Sequence, residues 1–252
     1  MKNVFHKSYQ SSQKEILGFI ESFNLSGEIF GKANRNTIKL FKLGDQVINI
    51  KSFKVPNIFN QIAYKFLRKS KAQRSFEYAN KLIELGIGTP KPIAYFEFSS
   101  LLLFKKSFYV SEHLECDLTY RELTMNFNYP DYETILRAFT RFTFKLHEEN
   151  ILFLDHSPGN TLIKKVDGDY KFYLVDLNRM QFKPMNFRTR IKNFSRLTIH
   201  KSMVEIMSDE YAKLSDEDYN KVFDLMWSYT ESFQKKFHRK KDFKKKLKFW
   251  KP

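Results

Sequence analysis

Residues 151–163 read ILFLDHSPGNTLI, and residues 173–182 read YLVDLNRMQF. Asp155 and Asn160 stand five positions apart in a turn-forming run behind an apolar strand, and Asp176 closes the next apolar strand. Phosphotransferase catalytic loops use this spacing: the first Asp orients or deprotonates the acceptor hydroxyl, the Asn holds a metal ion, and the second Asp holds Mg²⁺ on the nucleotide phosphates. The residue types follow from the chemistry. Mg²⁺ takes hard oxygen ligands, and phosphoryl transfer depends on positioning and charge neutralisation. Taken singly, Asp155, Asn160 and Asp176 read equally well as turn formers, because DHSPGN is made of residues that favour turns. Their combination points to chemistry. Two apolar strands flank Asn160, and a helix expected over Tyr132–Glu149 precedes them, with Ile135, Leu136, Phe139, Phe142 and Leu146 on one face.

Moving upstream, GEIFGKANRNTIKLF and DQVINIKSF alternate apolar and polar residues about a Leu43-Gly44-Asp45 turn, which predicts a small antiparallel sheet. A helix is expected from about Gln10 to Phe23, and another from Ser70, with Ala72, Phe76, Ala79 and Ile83 facing inward and Gly86 as C-cap. Pro90 and Pro92 enforce extended chain, and IAYFEFSS, LLLFKKS and FYVSEHL read as further strands. Downstream, NTLIKKVDGD separates the two apolar strands with an Asp-Gly turn. A last helix is expected from Ser215, as N-cap, to Phe237. The expected fold class is α+β in two lobes with a cleft between them. Residues 1–111 form a mostly β lobe with one main helix, 112–234 a mostly helical lobe, and 235–252 a basic tail.

Kinase-like folds place a Lys after an apolar triplet on a strand of the small lobe, paired with a Glu on the following helix. Ile48-Asn49-Ile50-Lys51 fits the first requirement. Alternation puts Asn49 and Lys51 on one face and Ile48 and Ile50 in the core. Glu77 is the first choice of partner and Glu84 the second. Alone, Lys51 is a strand-edge lysine and Glu77 a solvated helix residue; order along the chain raises both.

At these residues the sequence resembles the kinase superfamily and, more narrowly, the lipopolysaccharide kinase family of Kdo and heptose kinases, with RIO-type kinases and aminoglycoside phosphotransferases as cousins. The resemblance runs from about Gly27 to Met180, carried by NIKSFK, RKSKAQRSFEYA, LGIGTPKPIAYFE, SEHLE, LDHSPGNTLI and LVDLNRM. It implies a protein-kinase-like two-lobed fold that uses ATP and Mg²⁺. Asp155 would be the catalytic base, Asn160 and Asp176 the Mg²⁺ ligands, Lys51 the phosphate-binding lysine with Glu77 as its partner, and the backbone from Glu112 to Leu114 the hinge that meets adenine. The glycine-rich loop is reduced to Gly31, so Asn34, Arg35 and Asn36 would offer polar groups to the phosphates.

Departures from the protein-kinase pattern narrow the substrate. Phe153-Leu154 replace the His-Arg that precedes the catalytic Asp, Ser157 replaces the lysine two positions after it, and Asp176-Leu177-Asn178 replaces Asp-Phe-Gly. Only 58 residues separate Asp176 from the basic tail, and no Ala-Pro-Glu occurs. That is too little chain for a peptide-docking activation segment, so a sugar hydroxyl is favoured over a protein. The expected acceptor is an inner-core sugar of lipopolysaccharide, Kdo on lipid A. The alternatives are a RIO-like protein kinase or another small-molecule phosphotransferase and, outside the enzymes, a pseudokinase or nucleic-acid-binding module.

Composition places the reaction. The 252 residues carry a net charge of +16, of which the tail Lys235–Pro252, with ten basic residues and one acid, supplies +9 and the rest +7. A second basic run, Lys51–Ser75, contains no acid and reads as a phosphate-facing surface or a solvated face. On a helix, Phe233, Phe237, Phe243, Leu247 and Trp250 fall in one sector, so the tail reads as an amphipathic cationic anchor for an anionic membrane presenting a lipid-linked sugar. A disordered solubilising tail and, after it, nucleic-acid binding are the lesser readings of that charge. A single cysteine, Cys116, excludes an intrachain disulfide and points to a reducing compartment. Without a membrane-spanning or secretory segment, the expectation is a cytoplasmic protein peripheral to the inner membrane. Cys116 reads as a small buried residue and the six histidines as structural or surface groups, without metal-ligand spacing.

Overall fold

A computed structural model describes residues 1–31 and 36–249, with side chains to residue 243. Asn34 and Arg35 of the predicted phosphate loop, and the Leu247 side chain and Trp250 of the tail, lie outside the described residues.

The chain forms two compact units, Met1–Glu115 with Tyr173–Arg179, and Cys116–Phe172 with Met180–Pro252. The division falls between Glu115 and Cys116 rather than after residue 111, and the segment bearing Asp176 groups with the first unit.

In the first unit, β1 (Lys2–Phe5) precedes α1 (Gln13–Glu21), β2 (Glu28–Ile29), β3 (Asn36–Leu43), β4 (Gln46–Phe53), α2 (Ile58–Phe66), α3 (Lys71–Glu84), β5 (Pro92–Ser99) and β6 (Phe104–Glu112). The strands make one antiparallel sheet in the order β1-β5-β6-β4-β3-β2. Gly44, at φ 57°, permits the tight β3–β4 turn, beyond which Leu43 pairs with Gln46. Alternation sorts the faces. Ile48, Ile50, Ala94, Phe96 and Val110 pack with Ile16 and Ile20 of α1, while Phe53 and Tyr95 pack with Ala72 and Phe76 of α3. Lys51 shares the parity of Phe53 and so stands on the α3 face.

Three expectations change here. LLLFKKS is not a separate strand, because Leu103 N–H donates to Ser100 Oγ in a turn and β6 starts only at Phe104. In α3 the inward residue is Leu82; Ile83 is exposed. The acid-free segment after Lys54 contains an unforeseen helix, α2, capped by Asn57, whose side chain accepts from Asn60 N–H at 3.0 Å.

The second unit contains β7 (Leu118–Thr119), α4 (Tyr120–Leu123), α5 (Tyr132–Glu148), β8 (Ile151–Phe153), β9 (Thr161–Val166), most of β10 (Asp169–Leu174), β11 (Met180–Phe182), α6 (Phe187–Lys192), α7 (Lys201–Ser215) and α8 (Tyr219–Phe249). What reads as a separator, NTLIKKVDGD, is largely strand β9, joined to β10 by Asp167-Gly168 with both φ values positive, the geometry of a two-residue hairpin turn. Tyr120, Ile135, Leu136, Phe139, Phe194, Met203, Met207, Tyr211 and Met226 form the core. Ser215 ends α7 instead of capping α8. Asp216 reverses the chain at φ 52°, and Asp218 caps α8 by accepting from Lys221 N–H at 2.9 Å. Helix α8 then continues past Phe237 into the basic tail.

Candidate catalytic residues

Asp155 is set by the shortest of strands. Ile151, Leu152 and Phe153 are all buried, so β8 is fixed from every side and delivers the next two residues to a defined place. The loop then closes on itself. His156 N–H donates to Phe153 O at 3.2 Å, Asn160 N–H to Ser157 O at 2.9 Å across Pro158-Gly159, and Asn160 Nδ2 to Asp155 O at 2.8 Å. With its nitrogen thus engaged, Asn160 presents Oδ1 as the atom suited to a cation.

Beneath the loop, His156 is fully buried among the rings of Phe139, Phe153 and Phe194 at 5.4–6.5 Å. Burial pushes its pKa down to about 3, aided by His147. His147, on α5, is held at about 4 chiefly by burial, and its ring faces Tyr211 Oη at 2.9 Å and Asn193 Oδ1 at 3.3 Å. Both imidazoles are therefore neutral plugs, in keeping with a structural reading.

Sequence reasoning missed Arg196. Its Nη1 donates to Leu154 O at 2.8 Å and pairs with Asp155 Oδ1 at 2.9 Å, while the guanidinium lies over Phe233 at 5.6 Å. Asn193, three residues earlier, donates to Phe153 O at 2.9 Å. No motif signals either residue; both come from a short 3₁₀ turn at 193–196 far along the chain. Arg121 also reaches the loop: a Cβ on Gly159 would stand 2.5 Å from its Nη2.

Asp176 sits in the first unit in a left-handed conformation, φ 58°, which Asp tolerates better than most residues. Its carboxylate accepts from Lys51 Nζ and, at 2.8 Å, from Asn178 Nδ2. The segment is pinned by LGIGTP: Leu174 N–H donates to Gly88 O at 2.9 Å, and Thr89 Oγ1 donates to Leu174 O at 2.8 Å. Lys51 Nζ also stands 5.3 Å from the Phe53 ring centre.

The expected Lys51–Glu77 pair does not form in this structure. Lys51 takes Asp176 instead, while Glu77 pairs with Lys69 at 2.8 Å and accepts from Gln73 Nε2 at 2.9 Å, partners one to two turns back that Glu77 reaches from its own helix. Glu84, the second choice, is an exposed residue at the end of α3. In the hinge, Glu112 N–H donates to Lys91 O and His113 N–H to Val47 O, both at 2.9 Å, while Glu112 Oε1 accepts from Tyr9 Oη at 2.6 Å. Leu114 is half-buried, and Gly31 holds φ 74° at the edge of the described residues. Cys116 is half-buried, and burial with neighbouring Glu122 and Asp117 raises its thiol pKa, so it is no activated nucleophile.

Among the described residues no three His, Cys, Asp or Glu side chains cluster as a metal site. Mg²⁺ in phosphotransferases is held by one or two protein oxygens plus phosphates and waters, so the Asp176 carboxylate and Asn160 amide oxygen have the right donor chemistry for it.

Against known proteins, residues 54–225 match the model of the Lipopolysaccharide kinase (Kdo/WaaP) family, a span that holds Glu77, Asp155, Asn160 and Asp176 and begins just after Lys51. A 3-deoxy-D-manno-octulosonic acid kinase of Mannheimia succiniciproducens is 24% identical over 162 residues, 64% of this chain and 65% of that protein's length. The solved structure described as WaaP in complex with acyl carrier protein superposes with a TM-score of 0.64 at 15% identity, covering 95% of this chain and 99% of that one.

Proposed function

Because the chain belongs to the lipopolysaccharide kinase (Kdo/WaaP) family, we propose that it transfers the γ-phosphoryl group of ATP to a sugar hydroxyl of the lipopolysaccharide inner core, with Kdo on lipid A as acceptor. Asp155 accepts the hydroxyl proton as the oxygen attacks. Arg196 holds one carboxylate oxygen of Asp155, and the Asn160 amide closes the loop behind it, so the base meets the acceptor already oriented. Lys51 takes the nucleotide phosphates, and Leu114 with the hinge carbonyls takes adenine. Asp176 and Asn160 would hold Mg²⁺, which when bound supplies charge neutralisation on the phosphates.

The observation that carries this reading is Asp155 fixed by Arg196 and its own loop inside the family span. The Kdo assignment leans on the 24% identical relative. We place the reaction at the cytoplasmic membrane face, where a lipid-linked acceptor would be presented and where the cationic end of α8 would add attraction to anionic lipid; among the described residues no helix is long and apolar enough to cross a membrane. Purified protein with radiolabelled γ-phosphate ATP should label Kdo-lipid A. Equal labelling by wild type and Asp155→Ala would reject the assignment, and labelling of another acceptor in a panel of sugars and proteins would reassign the substrate.

A further inference from the structure

Helix α2 is turned inside out. At about 100° per residue, Ile58, Ile62, Phe66 and Phe59 share a sector of about 100°, and this apolar sector faces solvent with side chains between 44% and 80% exposed. Away from that sector, Tyr64 lies 5.6 Å from the Phe104 ring of β6; Lys65, at the sector's edge, places Nζ 3.4 Å from Ser99 Oγ of β5, and Gln61 Nε2 donates to Pro56 O at 2.9 Å in the loop that leads into the helix. Surface helices ordinarily bury their apolar stripe, so a capped helix that presents it to water lacks its natural cover. The contacts of Tyr64 and Lys65 set α2 against the turn end of the β5–β6 hairpin, whose tip carries Leu101 and Leu102, both exposed. The chain segments that build this surface carry charge of one sign: neither Lys51–Ser75 nor Ser99–Ser111 contains an acid, and their Lys54, Arg68, Lys105 and Lys106 are exposed.

We propose that α2 and the hairpin tip dock the protein on an anionic lipid bilayer, the apolar sector entering the acyl boundary and the cations meeting phosphate headgroups. A large apolar sector flanked by cations is what an interfacial helix requires. The sector itself offers no polar group by which a protein partner would be recognised, which favours a fluid apolar phase as its cover. The proposal depends neither on the acceptor sugar nor on the cationic end of α8.

The test is co-sedimentation of the full chain with phosphatidylglycerol–phosphatidylethanolamine vesicles, without sugar acceptor. Phe59→Ser, Ile62→Ser and Phe66→Ser together change residues already in water, so Tm should hold while vesicle partitioning falls at least about tenfold. Wild-type partitioning by the triple variant overturns the proposal. Should that variant fail to fold, Phe59→Trp decides: the emission gained over wild type should shift blue and be quenched by bromolipid, and solvent-like emission at saturating vesicles overturns the proposal. Acyl carrier protein is the protein probe; its capture by wild type and loss in the triple variant, with vesicle partitioning intact, likewise overturns it. Kinase assay of the triple variant on detergent-dispersed acceptor separates this outcome from any failure of the functional reading.

Discussion

Arg196 is bonded to two successive positions of the loop, the Leu154 carbonyl and Asp155 Oδ1, and rests on Phe233. On the proposed function it is a positioning residue for Asp155, the proposed base, which has little strand of its own. Arg196→Met should lower kcat by about 10- to 100-fold through misplacement of the carboxylate, with KM for ATP unchanged. Arg196→Lys, which keeps one cationic donor, should recover part of the loss. A rise in KM for ATP at unchanged kcat would place Arg196 elsewhere in the reaction. Lys51 and Glu77 provide a second contrast at this scale. Lys51→Met removes the cation proposed to bind the nucleotide phosphates and should raise KM for ATP more than about tenfold. Glu77→Gln breaks only a partly exposed pair with Lys69 and should change it by less than about threefold, since such surface pairs contribute about 1 kcal/mol or less. Nucleotide titration of the two variants checks this, and equal losses would show that Glu77 turns to Lys51 when nucleotide is present.

Among the elements, β8 with its loop, α5 and the 3₁₀ turn at 193–196 share two buried neutral histidines, His147 and His156. Their pKa values in the folded protein, about 4 and about 3, lie below the ordinary 6.5. Below pH 6.5 the unfolded chain therefore binds protons that the native structure refuses, and stability is lost as pH falls from 6.5 toward those values. At pH 5 the two together would cost about 4 kcal/mol. Urea unfolding at pH 7, 6 and 5 should show this, and His156→Phe should remove about half of the decline; an undiminished decline would refute the account. The lowered carboxyls Glu122, Asp131 and Asp209 enter only at more acid pH. Helix α3 gives a packing test. Leu82→Ala should cost about 2–5 kcal/mol and Ile83→Ala under about 1, measured by chemical denaturation. Sequence periodicity found this helix and its start near Ser70 but chose Ile83, because two adjacent aliphatics both fit a 3.6-residue period within its tolerance. Strands with clean alternation, such as β3 and β4, were legible, as was the Asp155–Asn160–Asp176 spacing, because both are local. The apolar turn at Leu101-Leu102, the outward face of α2 and the bond from Arg196 to Asp155 were not, since each depends on what the rest of the chain places opposite it.

For the whole molecule, charge and apolar surface are distributed over different parts of the chain. The cationic end belongs to α8 in the second unit, whereas α2 and the hairpin tip belong to the first. These features should contribute to vesicle binding in distinguishable ways. Lysines act through a field that ions screen over roughly 10 Å at 0.1 M salt, each near-surface charge contributing about 1 kcal/mol, whereas insertion of Phe59, Ile62 and Phe66 depends on apolar area and only weakly on salt. Partitioning onto anionic vesicles, plotted as its logarithm against the logarithm of salt concentration, should therefore fall along a line with a steep slope. Reversing Lys240, Lys241 and Lys245 to Glu should flatten the slope and leave binding at high salt nearly unchanged. The triple serine variant of α2 should lower the line as a whole and keep its slope. If charge reversal abolished binding at every salt concentration, α8 would be an inserted anchor rather than an electrostatic one. If neither variant changed the line, the +16 of this chain would have to act on some other anionic partner.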